Sequence, residues 1–143
     1  MKKISNTPCP IARSLDCVGD TWSLLILRDA LAGLTRFDQF RKSLGIAPTM
    51  LSRRLATLTE EGLLEKQLYL ERPPREEYVL TNAGQDFLPI LVMFGAWGRK
   101  YRGGGAVTQL IDDESGQEIQ PIVVDAVTGA TIGTRAMRVV IPE

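Results

Sequence analysis

Residues 45–63 read GIAPTMLSRRLATLTEEGL. Within them Leu51, Leu55 and Leu58 recur at i, i+4 and i+7, which sets an apolar stripe along one face of a helix. Pro48 suits the first helical position, where its missing N–H costs no bond, and Gly62 supplies the stop. The opposite face presents Thr49, Ser52, Arg53, Ala56, Thr57 and Glu60. Short polar side chains permit close approach to a partner, and arginine can bond the edge of guanine bidentately. Arg53 and Arg54 point about 100° apart on a helix and cannot share one role. Arg53 is read as the partner contact ahead of Arg54, and the alternative for both is a solvated charge paired with a nearby Glu.

Outward from this helix, the chain alternates apolar periodicity with stop signals. Pro10, Ile11, Leu15 and Val18 predict a helix over about 10 to 18, ended by Gly19. Asp20 can cap a second helix, whose residues WSLLILRDAL (22–31) are apolar nearly all round, as in a buried central helix. Gly33 ends it, and Thr35 is read as the cap of a third helix carrying Phe37, Phe40, Arg41 and Leu44 up to Gly45. After Gly62, Leu64 to Leu70 and Glu77 to Leu80 read as strands. Between them runs ERPPRE (71–76), with Pro73 and Pro74 flanked by Arg72 and Arg75. The prolines fix φ and remove two donors, which stiffens a hairpin tip and discourages pairing with another strand. Glu71, Glu76 and Glu77 temper the charge of its arginines.

Thr81 is read as the cap of one long helix reaching about Tyr101. Ile90, Phe94, Trp97 and Tyr101 lie on one side, and Phe87, Leu91 and Met93 give a second apolar side. One face would serve the core and the other a partner. Pro89 should bend this helix, at about 3 kcal/mol in a regular interior position. The expected domains are 1–102, a glycine link at 103–105, and an extension at 106–143. That tail is expected to be β-rich, with strands at Gln109 to Ile111, Ile119 to Val124 and Met137 to Ile141. It also repeats itself: Asp112-x-x-Ser115-Gly116 and Asp125-x-x-Thr128-Gly129 share one spacing. The two halves read either as ordinary Ser-Gly and Thr-Gly turns or as zinc knuckles whose thiolates are replaced by Asp, Ser and Thr. Oxygen ligands of that kind hold zinc poorly, so no metal is expected.

Composition excludes several functions. There is no histidine and there are only two cysteines among 143 residues, which removes the commonest general base and any four-thiolate zinc site. No phosphate loop, nucleophile motif or paired acid and base appears, so no enzyme and no cofactor are expected. The longest apolar run, Phe87 to Trp97, is too short for a bilayer, and MKKISN at the start is followed by no apolar leader. A soluble cytoplasmic protein without membrane contact is the expectation. The formal net charge is zero, but residues 1–105 hold 15 Lys+Arg and 11 Asp+Glu while 106–143 hold 2 and 6.

Three helices, the last two separated by a tight Leu-Gly-Ile-Ala turn, then a hairpin with arginines at its tip, make a winged helix-turn-helix. The fold class is mainly α with a small β-hairpin, plus the small β-rich C-terminal extension. Such a unit places a helix in the major groove of double-stranded DNA and its wing on the backbone or an adjacent groove. Pro48, Thr49, Ser52, Arg53 and Thr57 on the helix, Arg72 and Arg75 on the wing, and Arg36 at a helix start are the DNA-binding candidates. Helix-start amides at Pro48 can also receive a phosphate.

Cys9-Pro10, Gly19-Asp20-Thr21-Trp22, Leu25-Ile26-Leu27, Arg36-Phe37, Leu51-Ser52-x-x-Leu55 and Gly62-Leu63 join Pro73-Pro74-Arg75-x-x-Tyr78-x-Leu80-Thr81-x-x-Gly84 and Trp97-Gly98 in one pattern. Over residues 9 to about 101 it resembles the HxlR family of winged helix-turn-helix regulators. The resemblance implies a homodimeric bacterial or archaeal transcription factor acting on a palindromic operator. Its first and last helices would form the dimer interface, here with Ile11, Leu15, Ile90, Phe94, Trp97 and Tyr101. Relatives place Ser or Asn before the recognition helix where this chain has Ala47, so the cap bond is expected to be missing. Some longer relatives carry a cysteine-rich ribbon where this chain has its metal-free tail.

Redox and electrophile sensors of the family use an N-terminal cysteine at the position of Cys9, and helix starts favour thiolates in general. Cys9 is therefore read as a sensor thiol for an oxidant or other small-molecule effector, against a structural thiol. Cys17 is expected to be buried. The rival function is a winged-helix module that binds protein and not specific DNA, which the zero net charge and acidic tail encourage.

Overall fold

The computed structural model describes residues 6–143. The reading of the MKKISN start lies largely outside them. The described chain forms α1 (Pro10–Val18), α2 (Ser23–Leu31), α3 (Phe37–Leu44), α4 (Pro48–Glu60), β1 (Leu64–Leu70), β2 (Arg75–Leu80), α5 (Asn82–Gln85) and α6 (Phe87–Arg102). It divides into two compact units between Leu88 and Pro89, inside α6.

In the first unit α2, α3 and α4 pack around one core, with α1 against α2 and α4. Ile26, Leu27, Phe40, Leu51, Leu55 and Leu58 are fully buried, and burying a side chain of this size contributes roughly 1.5–3 kcal/mol. The stripe of leucines on α4 faces this core. Asp20 starts α2 by accepting from the Trp22 and Ser23 amides at 2.8 and 2.9 Å and from the Ser23 hydroxyl. The turn between α3 and α4 needs Gly45, whose φ of 63° lies in the left-handed region.

Two details of the helix ends differ from expectation. Thr35 does not cap α3 through its side chain. Instead Gln39, at the third helical position, reaches back so that its Oε1 accepts from the Thr35 and Arg36 amides, each at 3.0 Å. The single helix expected from Thr81 to Tyr101 is two, α5 and α6, with a break at Asp86. Pro89 explains the break: it has no N–H for the Gln85 carbonyl and its ring crowds that carbonyl.

The hairpin is antiparallel, pairing Leu64 with Leu80 through Leu68 with Glu76. Its second strand starts at Arg75, two residues earlier than expected, so Arg75 pairs with Leu70 and Arg72 alone stays in the turn. The Arg72–Pro73 peptide bond is cis. Thr81 closes the base: its hydroxyl donates to the Gly62 carbonyl at 2.5 Å and accepts from the Gly84 amide at 3.2 Å. Gly84 is buried there, and a Cβ on it would strike the Leu63 carbonyl and the Leu80 side chain.

The second unit holds the rest of α6 and the tail. None of its residues is buried within the chain. The three strands expected in the tail are absent as ladders. Two turns stand in their place, each closed by one isolated bridge, Ile111 with Glu118 and Val124 with Thr131. The repeat seen in the sequence is a repeat in structure. The Ile119 amide donates to Leu110 and Ile132 to Val123, while Gly116 and Gly129 donate to Asp112 and Asp125. Each turn closes on itself, so β-branched residues beyond it find no neighbouring strand, and Met137, Val139, Val140 and Ile141 remain highly exposed. Arg99 of α6 pairs with Glu118 of the first turn at 3.4 Å.

Candidate nucleic-acid interface

The face of α4 turned from the core carries Thr49, Ser52 and Arg53, all exposed, with Ala56 beside them and Thr57 half-buried. Pro48 occupies the first turn and is exposed, and Ala47 before it makes no side-chain cap, as the sequence suggests. The start of α4 thus has proline at its first position and no side-chain cap.

Arg54 differs from Arg53. Its Nε lies 3.6 Å from Asp20 Oδ1, a charge pair too long for a hydrogen bond, and its side chain is mostly covered. The Asp20 carboxyl is pushed up by burial, but the Ser23 hydroxyl, the Trp22 and Ser23 amides and the Arg54 charge outweigh this and hold it below the ordinary carboxylate value. α4 is thereby tied to the start of α2, and of its two arginines Arg53 is the exposed one.

The wing is tied to α3. The Tyr78 amide of β2 donates to the Thr35 carbonyl at 2.7 Å, and Arg36 lies over the Tyr69 ring, 4.2 Å from its centre. Lys66 bridges Glu76 at 3.2 Å, so this glutamate is engaged across the hairpin. Arg36, Arg72 and Arg75 are all exposed. The sequence had not singled out Tyr69, Gln39 or the Asp20–Arg54 pair. Only the Gln39 position, third in its helix, carried a local signal.

Cys9 is the residue before α1, exposed, and its Sγ accepts weakly from the Ala12 amide at 3.5 Å. Cys17 is half-buried, not buried as expected, because it sits at the α1–α4 seam where its Sγ is 3.6 Å from Glu61 Oε2. Cys17 lies eight positions after Cys9, the residue that caps α1, so their Cα atoms stand about 12 Å apart along the axis, beyond the reach of a disulfide within one chain. Ile11 and Leu15 on α1 are exposed, as are Ile90, Phe94, Trp97 and Tyr101 on α6. The Trp97 and Tyr101 rings meet at a tilt of 47° with their centres 5.4 Å apart.

In the tail, Asp112 accepts from the Ser115 amide at 2.8 Å, and Asp125 from the Val127 amide at 3.1 Å and the Thr128 hydroxyl at 2.8 Å. Hydrogen bonds within the turns hold both carboxyls below their ordinary value. No helix among the described residues is long and apolar enough to cross a membrane.

Comparison with known proteins agrees with this geometry. A regulator of the helix-turn-helix type from Mycobacterium tuberculosis is 38% identical over 87% of this chain and 80% of its own length. The crystal structure of PA1607, described as a transcription factor, matches at a TM-score of 0.86 and 37% identity over 97% of this chain and 99% of that one. A transcription factor of Pseudomonas aeruginosa, PA1374, is 51% identical at a TM-score of 0.61, covering 86% and 85% of the two chains. The redox regulator HypR in its reduced form matches at a TM-score of 0.62 and 30% identity, over 66% of this chain and 94% of its own. Residues 17–105 match the model of the HxlR-like helix-turn-helix family. With its wing, its recognition helix and this match, the chain belongs to the HxlR-like helix-turn-helix family of transcriptional regulators.

Proposed function

We propose that the protein acts in the cytoplasm, without enzymatic activity, as a homodimer on a palindromic operator. The observation that carries this reading is the division of α4 into a fully buried leucine face and an exposed face of Thr49, Ser52 and Arg53. In this reading Thr49, Ser52 and Arg53 reach base edges, Pro48 and Thr57 flank them, and Arg36, Arg72 and Arg75 take phosphates. Phosphate contacts fix register, and base contacts give sequence preference.

A second copy would cover the outer face of α6, where Phe94 and Trp97 are 64% and 55% exposed in the single chain. Aromatic side chains at that exposure are common at interfaces and costly in water. Ile11, Leu15, Ile90 and Tyr101 would complete the interface. Residues 1–102 are then the DNA-binding and dimerising part, 103–105 the link, and 106–143 an extension resembling a metal-free zinc ribbon. In that extension, hydrogen bonds of Asp112 and Asp125 take the place of metal bonds. Cys9 would sense an oxidant or another small-molecule effector, a role encouraged by its exposure at a helix start and by the likeness to HypR.

Selection from a random duplex pool, followed by footprinting, tests the reading. Two protected half-sites about one helical turn apart, roughly 34 Å, are expected. No enrichment, with retention of a protein partner instead, would favour the interaction-module alternative.

A further inference from the structure

We propose that Tyr69 is a positioning residue that holds the Arg36 guanidinium ready for a DNA phosphate; the inference rests on the DNA-binding reading above. Arg36 is fixed from two sides. Gln39 Oε1 accepts from its amide and from that of Thr35, each at 3.0 Å, and its guanidinium carbon stands 4.2 Å from the centre of the Tyr69 ring. Stacking uses the flat face of a guanidinium. Its five N–H donors lie in the plane and leave at the edge, so a stacked arginine keeps its hydrogen-bonding capacity for an anion. Among the described residues, no salt bridge to a carboxylate engages Arg36.

The hairpin is built to deliver that ring. Leu68 pairs with Glu76 and Leu70 with Arg75, so the register skips Tyr69. An extra residue of this kind bends the strand and re-aims its own side chain. The same hairpin is bonded to the start of α3 through the Tyr78 amide and the Thr35 carbonyl at 2.7 Å. Ring and arginine therefore sit on two elements whose backbones are already joined. Tyr69 is 38% exposed and lies outside the core.

A phosphate contact is sequence-independent, so a random-sequence duplex serves as the probe, with the full chain and fluorescence anisotropy at low salt. Tyr69→Ala should weaken binding about two- to fivefold, Tyr69→Phe should keep wild-type affinity, and Tyr69→Ala should add nothing in an Arg36→Ala background. Should Tyr69→Ala unfold at the assay temperature, Tyr69→Leu, which keeps bulk without the ring face, must show the same coupled loss. Equal losses with and without Arg36 would mean a structural role and overturn the proposal, as would wild-type affinity in the Ala and Leu variants. Unchanged binding by Arg36→Ala overturns it while leaving the DNA-binding reading standing. If the wild type binds neither this duplex nor a pool-selected one, both readings fall together.

Discussion

Arg54 of α4 lies 3.6 Å from the carboxylate of Asp20, while its neighbour Arg53, about 100° round the helix, is exposed. Two adjacent arginines thus serve different ends, one fixing the helix against α2 and one facing outward. Arg53→Ala should weaken specific DNA binding by ~1–3 kcal/mol and leave the melting temperature near that of the wild type. Arg54→Ala should show the reverse order, a lower melting temperature with a smaller change in base preference. Binding titrations at fixed salt beside thermal melts check both.

Asp20 makes the fold sensitive to acid in a defined direction. Its folded pKa lies below the ordinary carboxylate value. Its contribution is therefore fully present above the unfolded value and is lost as pH falls through the folded one. Urea midpoints should drop for the wild type once pH passes below 3.8, and less steeply for Asp20→Asn. At neutral pH, Asp20→Ala should cost about 1 kcal/mol through the lost cap. Parallel pH profiles for wild type and Asp20→Asn would remove Asp20 from the linkage.

The base of the wing offers a separate test of packing. Gly84→Ala pushes a methyl into the Leu63 carbonyl and the Leu80 side chain, which should destabilise by ~1–3 kcal/mol. Denaturant titration reads this directly, and a neutral substitution would mean that the Thr81–Gly62 junction yields more easily than its hydrogen bonds suggest.

Much of this architecture is legible in the residues. The leucine spacing on α4, the glycine at position 45 and the proline-rich tip give the helix-turn-helix and wing without further information. What was hidden depends on partners distant in sequence or on competition between local signals. Thr35 reads as the cap of α3, yet it is the longer Gln39 side chain that reaches back to the Thr35 and Arg36 amides. LEKQLYL carries no mark of the skipped residue at Tyr69, because a bulge is a property of two strands together. In the tail, β-branched runs advertise strands, yet each turn closes on itself and gives them nothing to pair with. Pro89 announced a bend; the outcome was a break three residues earlier, at Asp86. Among the sites, Arg54 declared itself only through Asp20, which sits more than thirty positions away.

The exposed aromatic face of α6 predicts association. Phe94→Glu together with Trp97→Glu should convert a dimer to a monomer in sedimentation equilibrium and abolish operator binding, since one half-site loses the avidity of two. A wild-type chain sedimenting as a monomer at micromolar concentration would leave that face without its proposed cover.

Cys9 is tested by chemistry at the thiol. Diamide should shift operator affinity of the wild type and leave Cys9→Ser unchanged. An equal response in both would move the sensing to Cys17 or away from cysteine altogether.

The most direct measurement is operator affinity across a salt series, for wild type and Arg53→Ala side by side. Log affinity should fall linearly and steeply with log salt, as phosphate neutralisation requires, and Arg53→Ala should lower affinity for the selected operator much more than for random duplex. A flat salt response, or equal losses on both duplexes, would contradict the claim that α4 reads DNA through its exposed face.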